Sequence, residues 1–356
     1  MSENEPKEYF PNVAYIKVKN IRKQIAIVSD FFFDSPSKKI LIVGVTGTNG
    51  KSSVVNFLFQ IFNSLGHKSG LISTINYIIG DKKFDSTHTT PDSITLNYML
   101  KEMVKENCKF CFMEVSSHSL SQFRVYAIKY KVGVFTNISH DHLDYHKTMD
   151  EYFSEKLKLF NLNKENGSSV LMIDDKYGRT IAELNPHAKC ISLETKDADY
   201  SCSIYSINNL GIKGTLAWNS KTLDFESKPI GSFNLENLIL AISIAIELNI
   251  SAQSIAKGIE NCTNIDGRLH LVENQKNQMI FLDYAHSPDA YFRTLKALEE
   301  NFSRPLKVLF GAGGGRDKSK RPKMAEVVEK YSTECYLAPD NPRFCLLYTS
   351  PSPRDS

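Results

Sequence analysis

Apolar positions along this chain fall into short runs separated by polar turns, and the runs carry two different periods. Residues 40–45 (ILIVGV) are continuously aliphatic or glycine, the pattern of a strand buried on both faces. After a glycine-rich turn, Val54, Val55, Phe57, Leu58 and Ile61 recur at helical spacing. Further strands are predicted at 110–115, 132–137 and 169–173, and further helices starting near Ser93, Met149 and Asn234. Strands alternating with helices predict an α/β fold with a central parallel sheet covered on both faces. The stretch 201–228 is rich in Ser, Asn and Gly and reads as an antiparallel excursion. A second α/β unit begins near Gly267, with strands at 279–284, 306–311 and 334–337 and helices at 288–300 and 322–330. Ahead of all this, 14–18 reads as a strand and 21–33 as a helix, too little to form a core alone. Phe31, Phe32 and Phe33 are expected to be core residues rather than a cofactor box.

Composition adds limits. With 356 residues the first expectation is two domains, or three small ones. A net charge of +3 gives no bias towards nucleic acid or membranes. No apolar run reaches spanning length, and the polar start MSENEPKEYF is no signal peptide. Seven scattered cysteines read as reduced thiols of a cytoplasmic protein. Cys108 and Cys111 have CxxC spacing, but they lie in an apolar run without a second pair, so core packing is expected. Residues 345–356 (CLLYTSPSPRDS) have neither period nor caps and read as a non-native tail, the alternative being a natural disordered one.

Chemistry concentrates at the strand ends. In ILIVGVTGTNGKSS a strand feeds a glycine turn, a lysine, two hydroxyls and a helix start. Such a turn presents backbone N–H groups and a helix dipole to phosphate, with Lys51 to neutralise it and Ser52 to ligate Mg2+. The common nucleotide loop has glycine six residues before the lysine, where this chain has Val45. Glu114, in MEVSSH, ends a strand where a carboxylate can hold Mg2+ directly or through water. Next, FTNISHDHLD places two histidines and two aspartates within five residues. For each of these the bland alternative is a solvated strand end or a surface loop.

Ten motifs follow one another in order: GVTGTNGKSS, THTTPDS, MEVSSHSLSQFR, FTNISHDHLDYH, YFSEKLKLF, FNLENL, DGRLH, DYAHSPDA, GAGGGRDKSKRP and DNPR. Together they resemble the Mur ligases over about residues 15–344, and most of all the branch that adds the third amino acid of the peptidoglycan precursor. The family's phosphate loop has the form TGTxGK[ST], which accounts for Val45. The resemblance implies a central ATP-binding domain at 40–266 with a P-loop-type parallel sheet. It implies a remnant of a UDP-binding domain at 1–39 and an incomplete Rossmann-like amino-acid-binding domain at 267–344. It further implies that Gly47, Thr48, Asn49, Gly50, Lys51, Ser52 and Ser53 hold the ATP phosphates. Asn234 and Asn237 would lie near adenine, Arg268 near phosphate and Asp283 near ribose. Ser52, Glu114, His142 and Lys156 would hold Mg2+, the last as a carbamate formed with CO2. Thr89, Thr90, Ser116, Gln122 and Arg124 would hold UDP-MurNAc-dipeptide. Asp340, Asn341 and Arg343 would read meso-diaminopimelate, whose distal carboxylate suits an arginine fork.

The reaction so implied is ATP-dependent amide formation through an acyl phosphate, in a monomer with no nucleic-acid or membrane partner. The base that deprotonates the attacking amine is not named by any motif. Two rivals stand beside this reading: a folylpolyglutamate synthetase-like ligase, and a nucleotide-binding fragment without ligase activity, since the motifs cover the family's middle and stop short at both ends.

Overall fold

A computed structural model describes residues 2–5, 8–163, 167–276, 278–302, 304–314, 318–338 and 340. In chain order the first elements are α1 (Ile21–Phe32), β1 (Leu41–Thr46), α2 (Lys51–Ser64), β2 (Ser69–Ile72), β3 (Asn76–Ile79), β4 (Lys82–Asp85), α3 (Ser93–Lys105), β5 (Phe110–Glu114), α4 (Ser117–Ser121) and β6 (Val132–Phe135). Then come α5 (Leu143–His146), α6 (Met149–Asn163), β7 (Ser168–Met172), α7 (Lys176–Leu184), β8 (Lys189–Ser192), β9 (Tyr200–Asn208), β10 (Gly211–Trp218), β11 (Lys221–Ser227), α8 (Ser232–Glu247) and α9 (Ala252–Glu260). The last are β12 (His270–Val272), β13 (Ile280–Leu282), α10 (Pro288–Asn301), β14 (Lys307–Phe310), α11 (Lys320–Tyr331) and β15 (Glu334–Leu337).

Strands β1 to β11 form one mixed sheet in the order β11-β10-β9-β8-β7-β6-β1-β5-β2-β3-β4. From β2 to β9 all neighbours run parallel, and antiparallel hairpins extend both edges. The hairpin at 201–228 is as expected. The β2-β3-β4 hairpin was not foreseen, because its short strands, the last one exposed, carry little apolar signal. Alternate residues of β1 face opposite layers. Val43 and Val45 join a core with α2, α8 and α9, while Ile42 joins one with α3, α6 and α7. Burial on both faces explains the continuous aliphatic run.

Two expectations fail near the start of the chain. Residues 14–18 form no strand; Lys17 makes only an isolated bridge to Ser2, and Tyr15 and Ile16 are exposed, having no neighbouring strand. Phe31 and Phe32 are 82% and 72% exposed rather than core. Helix α1 buries its Ala26 and Ser29 instead, and is capped by Asn20, which accepts from Lys23 N.

Beyond Gly267, β12 pairs antiparallel with β13, and β14 pairs parallel with β15. Helices α10 and α11 pack over a small core of Tyr291, Leu295, Val308, Met324 and Val328. Residues 345–356 lie outside the described residues. Cys108 and Cys111 are buried free thiols, as expected from their apolar run.

Candidate active site

The site lies where β1 ends, between its parallel neighbours β5 and β6, at the carboxyl edge of the sheet. The chain leaves β1 through Gly47 (φ +151°) and enters α2 through Gly50 (φ +84°). A Cβ on Gly47 would sit 1.9 Å from Thr136 Oγ1, and one on Gly50 would sit 2.3 Å from Asn237 Oδ1. Both positions therefore demand glycine twice over, for conformation and for space.

The loop is held by the residues just after β6. Thr48 N donates to Asn137 O (2.8 Å), Asn49 N to Asn137 Oδ1 (3.0 Å), and Thr136 Oγ1 to Asn49 O (2.6 Å). The predicted strand at 132–137 stops at Phe135: Thr136 N still reaches Thr46 O of β1 (3.0 Å), but the Thr136 side chain and both polar ends of Asn137 turn to the loop. Lys51 folds back, donating to Gly47 O (3.1 Å) and Thr48 O (2.8 Å). Burial lowers its pKa, against the opposing pull of Glu114 and Asp141.

At the start of α2, Ser52 Oγ donates to Glu114 Oε1 at 2.8 Å, and Arg268 Nη2 donates to Ser52 Oγ at 2.9 Å. Glu114 is no solvated strand end; it is 1% exposed. Thr74 satisfies it as well, through its N (2.7 Å) and Oγ1 (3.2 Å). No sequence motif pointed to Thr74. Ser53 is buried one residue further along α2.

Lys156, on α6, is 1% exposed, and its ammonium donates to Gly47 O at 2.7 Å while lying 4.4 Å from the Tyr152 ring centre. Burial, and then the nearby Lys51 charge, pushes its pKa well below the usual lysine value. His142 adopts φ +57° at the start of α5. Burial lowers its pKa to about 3, with Asp141 opposing.

A second face is built from hydroxyls and one arginine. Thr90 Oγ1 donates to Glu114 O (2.8 Å), and Ser116 N donates to Thr90 Oγ1 (3.1 Å). Thr89 Oγ1 and Thr74 Oγ1 lie in hydrogen-bond contact at 3.0 Å. Arg124 bonds Thr90 O (2.9 Å) and Gln122 Oε1 (2.6 Å), so Gln122 aims the guanidinium.

On α8, Asn234 and Asn237 are both buried; Asn237 Nδ2 donates to Asn234 Oδ1 at 3.4 Å and Asn234 Nδ2 to Ile230 O at 2.8 Å. Asp283 accepts from Leu269 N (2.7 Å) and Ala285 N (2.8 Å), and burial raises its pKa.

One cavity of about 920 Å³ gathers most of these groups. Thr48 to Ser53, Thr89, Thr90, Glu114, Ser116, Arg124, His142, Asn237, Arg268, Asp283 and Asp340 all line it. Gly47, Gln122, Lys156 and Asn234 stand behind that lining. Asn341 and Arg343 lie outside the described residues. The cavity also holds Asp141, which the sequence offered only as part of a His/Asp cluster, and Glu236, His286, Arg293 and Lys320, which it did not single out. Four of the five sit inside the quoted motifs and Arg293 lies three residues past one, so their segments were legible and their partners were not. Asp289, which accepts from Asn49 Nδ2 at 2.8 Å, was likewise unforeseen.

Among the described residues, no three His, Cys, Asp or Glu side chains gather as a metal cluster. One buried carboxylate and one hydroxyl beside a phosphate loop nevertheless suit Mg2+, which takes few protein ligands and completes its shell with phosphate oxygens and water.

Comparison with known proteins agrees with this arrangement. Residues 45–245 match the Mur ligase middle domain, and 267–346 match the Mur ligase glutamate ligase domain. The chain is 39% identical over 335 residues to the UDP-N-acetylmuramoyl-L-alanyl-D-glutamate--2,6-diaminopimelate ligase of Caldanaerobacter subterraneus subsp. tengcongensis, covering 94% of this chain and 69% of that protein. A solved structure of a ligase of that name superposes with a TM-score of 0.72 at 28% identity, covering 94% of this chain and 70% of the other. The folylpolyglutamate synthase of Thermotoga maritima superposes with a TM-score of 0.65 at 16% identity, covering 89% and 86%, and shares the fold alone.

Proposed function

Since the chain belongs to the Mur ligase family, we propose that it joins meso-diaminopimelate to UDP-N-acetylmuramoyl-L-alanyl-D-glutamate at the expense of ATP. The observation that carries this reading is the single cavity. It sets the phosphate loop against the hydroxyl-and-Arg124 face on one side and Asp340 on the other.

In this reading a carboxylate oxygen of the D-glutamyl residue attacks the γ-phosphorus of ATP, and the bond to the β-bridging oxygen breaks to release ADP. The neutral amine of diaminopimelate then attacks the acyl carbon, loses a proton and expels inorganic phosphate. Lys51 stands at the loop where negative charge gathers, in a buried setting where a fixed cation counts for most. Arg124 is already oriented by Gln122 to pair with an anionic group of the dipeptide substrate. Arg268 reaches Ser52 from the second unit and adds positive charge at the same place. Ser52, Glu114 and His142 would hold Mg2+, which supplies charge neutralisation on the phosphates.

Lys156 fits carbamylation. Its burial beside Lys51 favours the neutral amine, the form that adds CO2. The anion so formed would face a cation and could share in holding a second Mg2+. Asp340, Asn341 and Arg343 are assigned to meso-diaminopimelate, with Arg343 the one able to pair its distal carboxylate.

The deciding experiment measures ADP release with each acceptor alone and with both together. Release that requires both UDP-MurNAc-dipeptide and meso-diaminopimelate supports the reading. Equal release with L-lysine would overturn the amino-acid assignment. Stabilisation against heat by a folate, but not by the muramoyl-dipeptide, would favour the folylpolyglutamate synthetase-like alternative. Release independent of every acceptor would leave a nucleotide-binding fragment.

A further inference from the structure

Asp141 lies in the loop between β6 and α5 and is 4% exposed. Its carboxylate first fixes its own turn, accepting from His142 N at 2.9 Å. It then receives two side chains from separate segments of the second unit. His286 Nε2, between β13 and α10, stands 3.4 Å from Oδ2, and Lys320 Nζ, at the start of α11, stands 3.4 Å from Oδ1. Lys320 is itself 8% exposed. A buried ammonium left without its carboxylate is strongly unfavourable, so this pair favours one placement of α10 and α11 over the sheet edge.

Among the described residues, further side-chain links join the two units. Arg268 bonds Ser52, Asp289 bonds Asn49, and Arg293 pairs with Glu236 at 3.0 Å. The first two end on groups of the phosphate loop, which a nucleotide and its metal would engage. Asp141 reaches the second unit without using residues 47–53, although its Oδ2 also lies 3.4 Å from Nε2 of the neighbouring His142.

We propose that Asp141 is a positioning residue: through Lys320 and His286 it anchors the second unit over the phosphate loop, so that the amine-bearing substrate is presented to the activated carboxylate. The kinetic consequence rests on the ligase reading above, whereas the anchoring does not.

The test is a cycle of Asp141→Asn, Lys320→Met and the double variant, read in two ways. Hydrogen exchange of α10 and α11 is followed without substrates, and kcat and KM are measured with all three substrates. Each single variant should speed exchange across both helices and lower kcat by about tenfold or more, as expected when one partner of a buried charge pair is removed. For Lys320→Met, which leaves the Asp141–His142 contact in place, KM for ATP should stay within about threefold, because the lost contact is not one ATP uses. The double variant should be no worse than the worse single. Single-variant exchange within about twofold of the parent, or a double effect equal to the product of the singles, overturns the anchor. If Asp141→Asn fails to fold, the same cycle between Lys320→Met and His286→Ala decides, with coupled effects supporting the proposal and independent ones refuting it. If the parent shows no acceptor-dependent ADP release, the ligase reading fails, and the exchange data still judge the anchor.

Discussion

The central sheet and the second unit are built on different principles. In the central sheet, β1, β5 and β6 are buried on both faces, apart from Leu41 at the start of β1. In the second unit, β15 is exposed throughout, Leu282 of β13 is 54% exposed, and five buried side chains make up the main core. One region is rigid by burial. The other meets the central unit through polar contacts at the cavity and a small apolar cluster of Ile230, Leu269 and Leu298. The glycine loop springs from the fully buried side, where β1 and the residues after β6 hold it by hydrogen bonds. The smaller core of the second unit leaves that half to be set more by contacts at the cavity itself.

The contrast can be broken most forcefully in the cores. Leu58→Ala, at a position with no exposure, should destabilise towards the upper end of the roughly 2–5 kcal/mol range for such changes. Leu295→Ala, at the edge of the small core, should fall near the lower end because its surroundings can collapse. Denaturant unfolding of both variants checks this, and equal losses would mean that the two cores are alike.

Lys51→Ala tests the loop without disturbing either core. Acceptor-dependent ADP release should fall by about a hundredfold or more, as for removal of one preorganised charge-stabilising group. Activity within about threefold of the parent would remove Lys51 from the phosphate site.

A smaller effect concerns His142, at the seam. Its folded pKa is about 3 against 6.5 when unfolded. Between those values the unfolded chain binds a proton that the folded chain does not, so this group makes stability fall as pH drops from 6.5 towards 3. His142→Gln should flatten that part of the stability-versus-pH curve, while His146, lowered by burial to about 4, keeps its own share. Parallel curves for parent and variant would contradict the assignment. The smallest change expected is Leu282→Thr on the exposed face of β13, which should shift stability by no more than about 0.5 kcal/mol by thermal or denaturant unfolding.

Much of the central unit was legible because its strands bury two faces and its helices one, and each pattern leaves a period in the chain. The phosphate loop was legible because glycine, lysine and serine at that spacing serve few other purposes. The β2-β3-β4 extension was missed because each strand is only four residues long and the edge strand β4 is exposed throughout, which leaves no clear alternation. Phe31 and Phe32 misled because three aromatic residues in a row cannot all face the one narrow side that α1 packs against α3.

What residue order alone settled here is local: the strand-to-helix phosphate turn, the two glycines it needs, and the ordered motifs that place the chain in its family. Thr74 under Glu114, Asp289 against Asn49, and His286 and Lys320 on Asp141 were decided only in three dimensions. These pairs are 40, 240, 145 and 179 residues apart in sequence. Any of those polar side chains could equally have stood in water. A buried carboxylate takes as partner whichever donor the packed sheet and helices bring within reach, and sequence spacing carries no record of that distance.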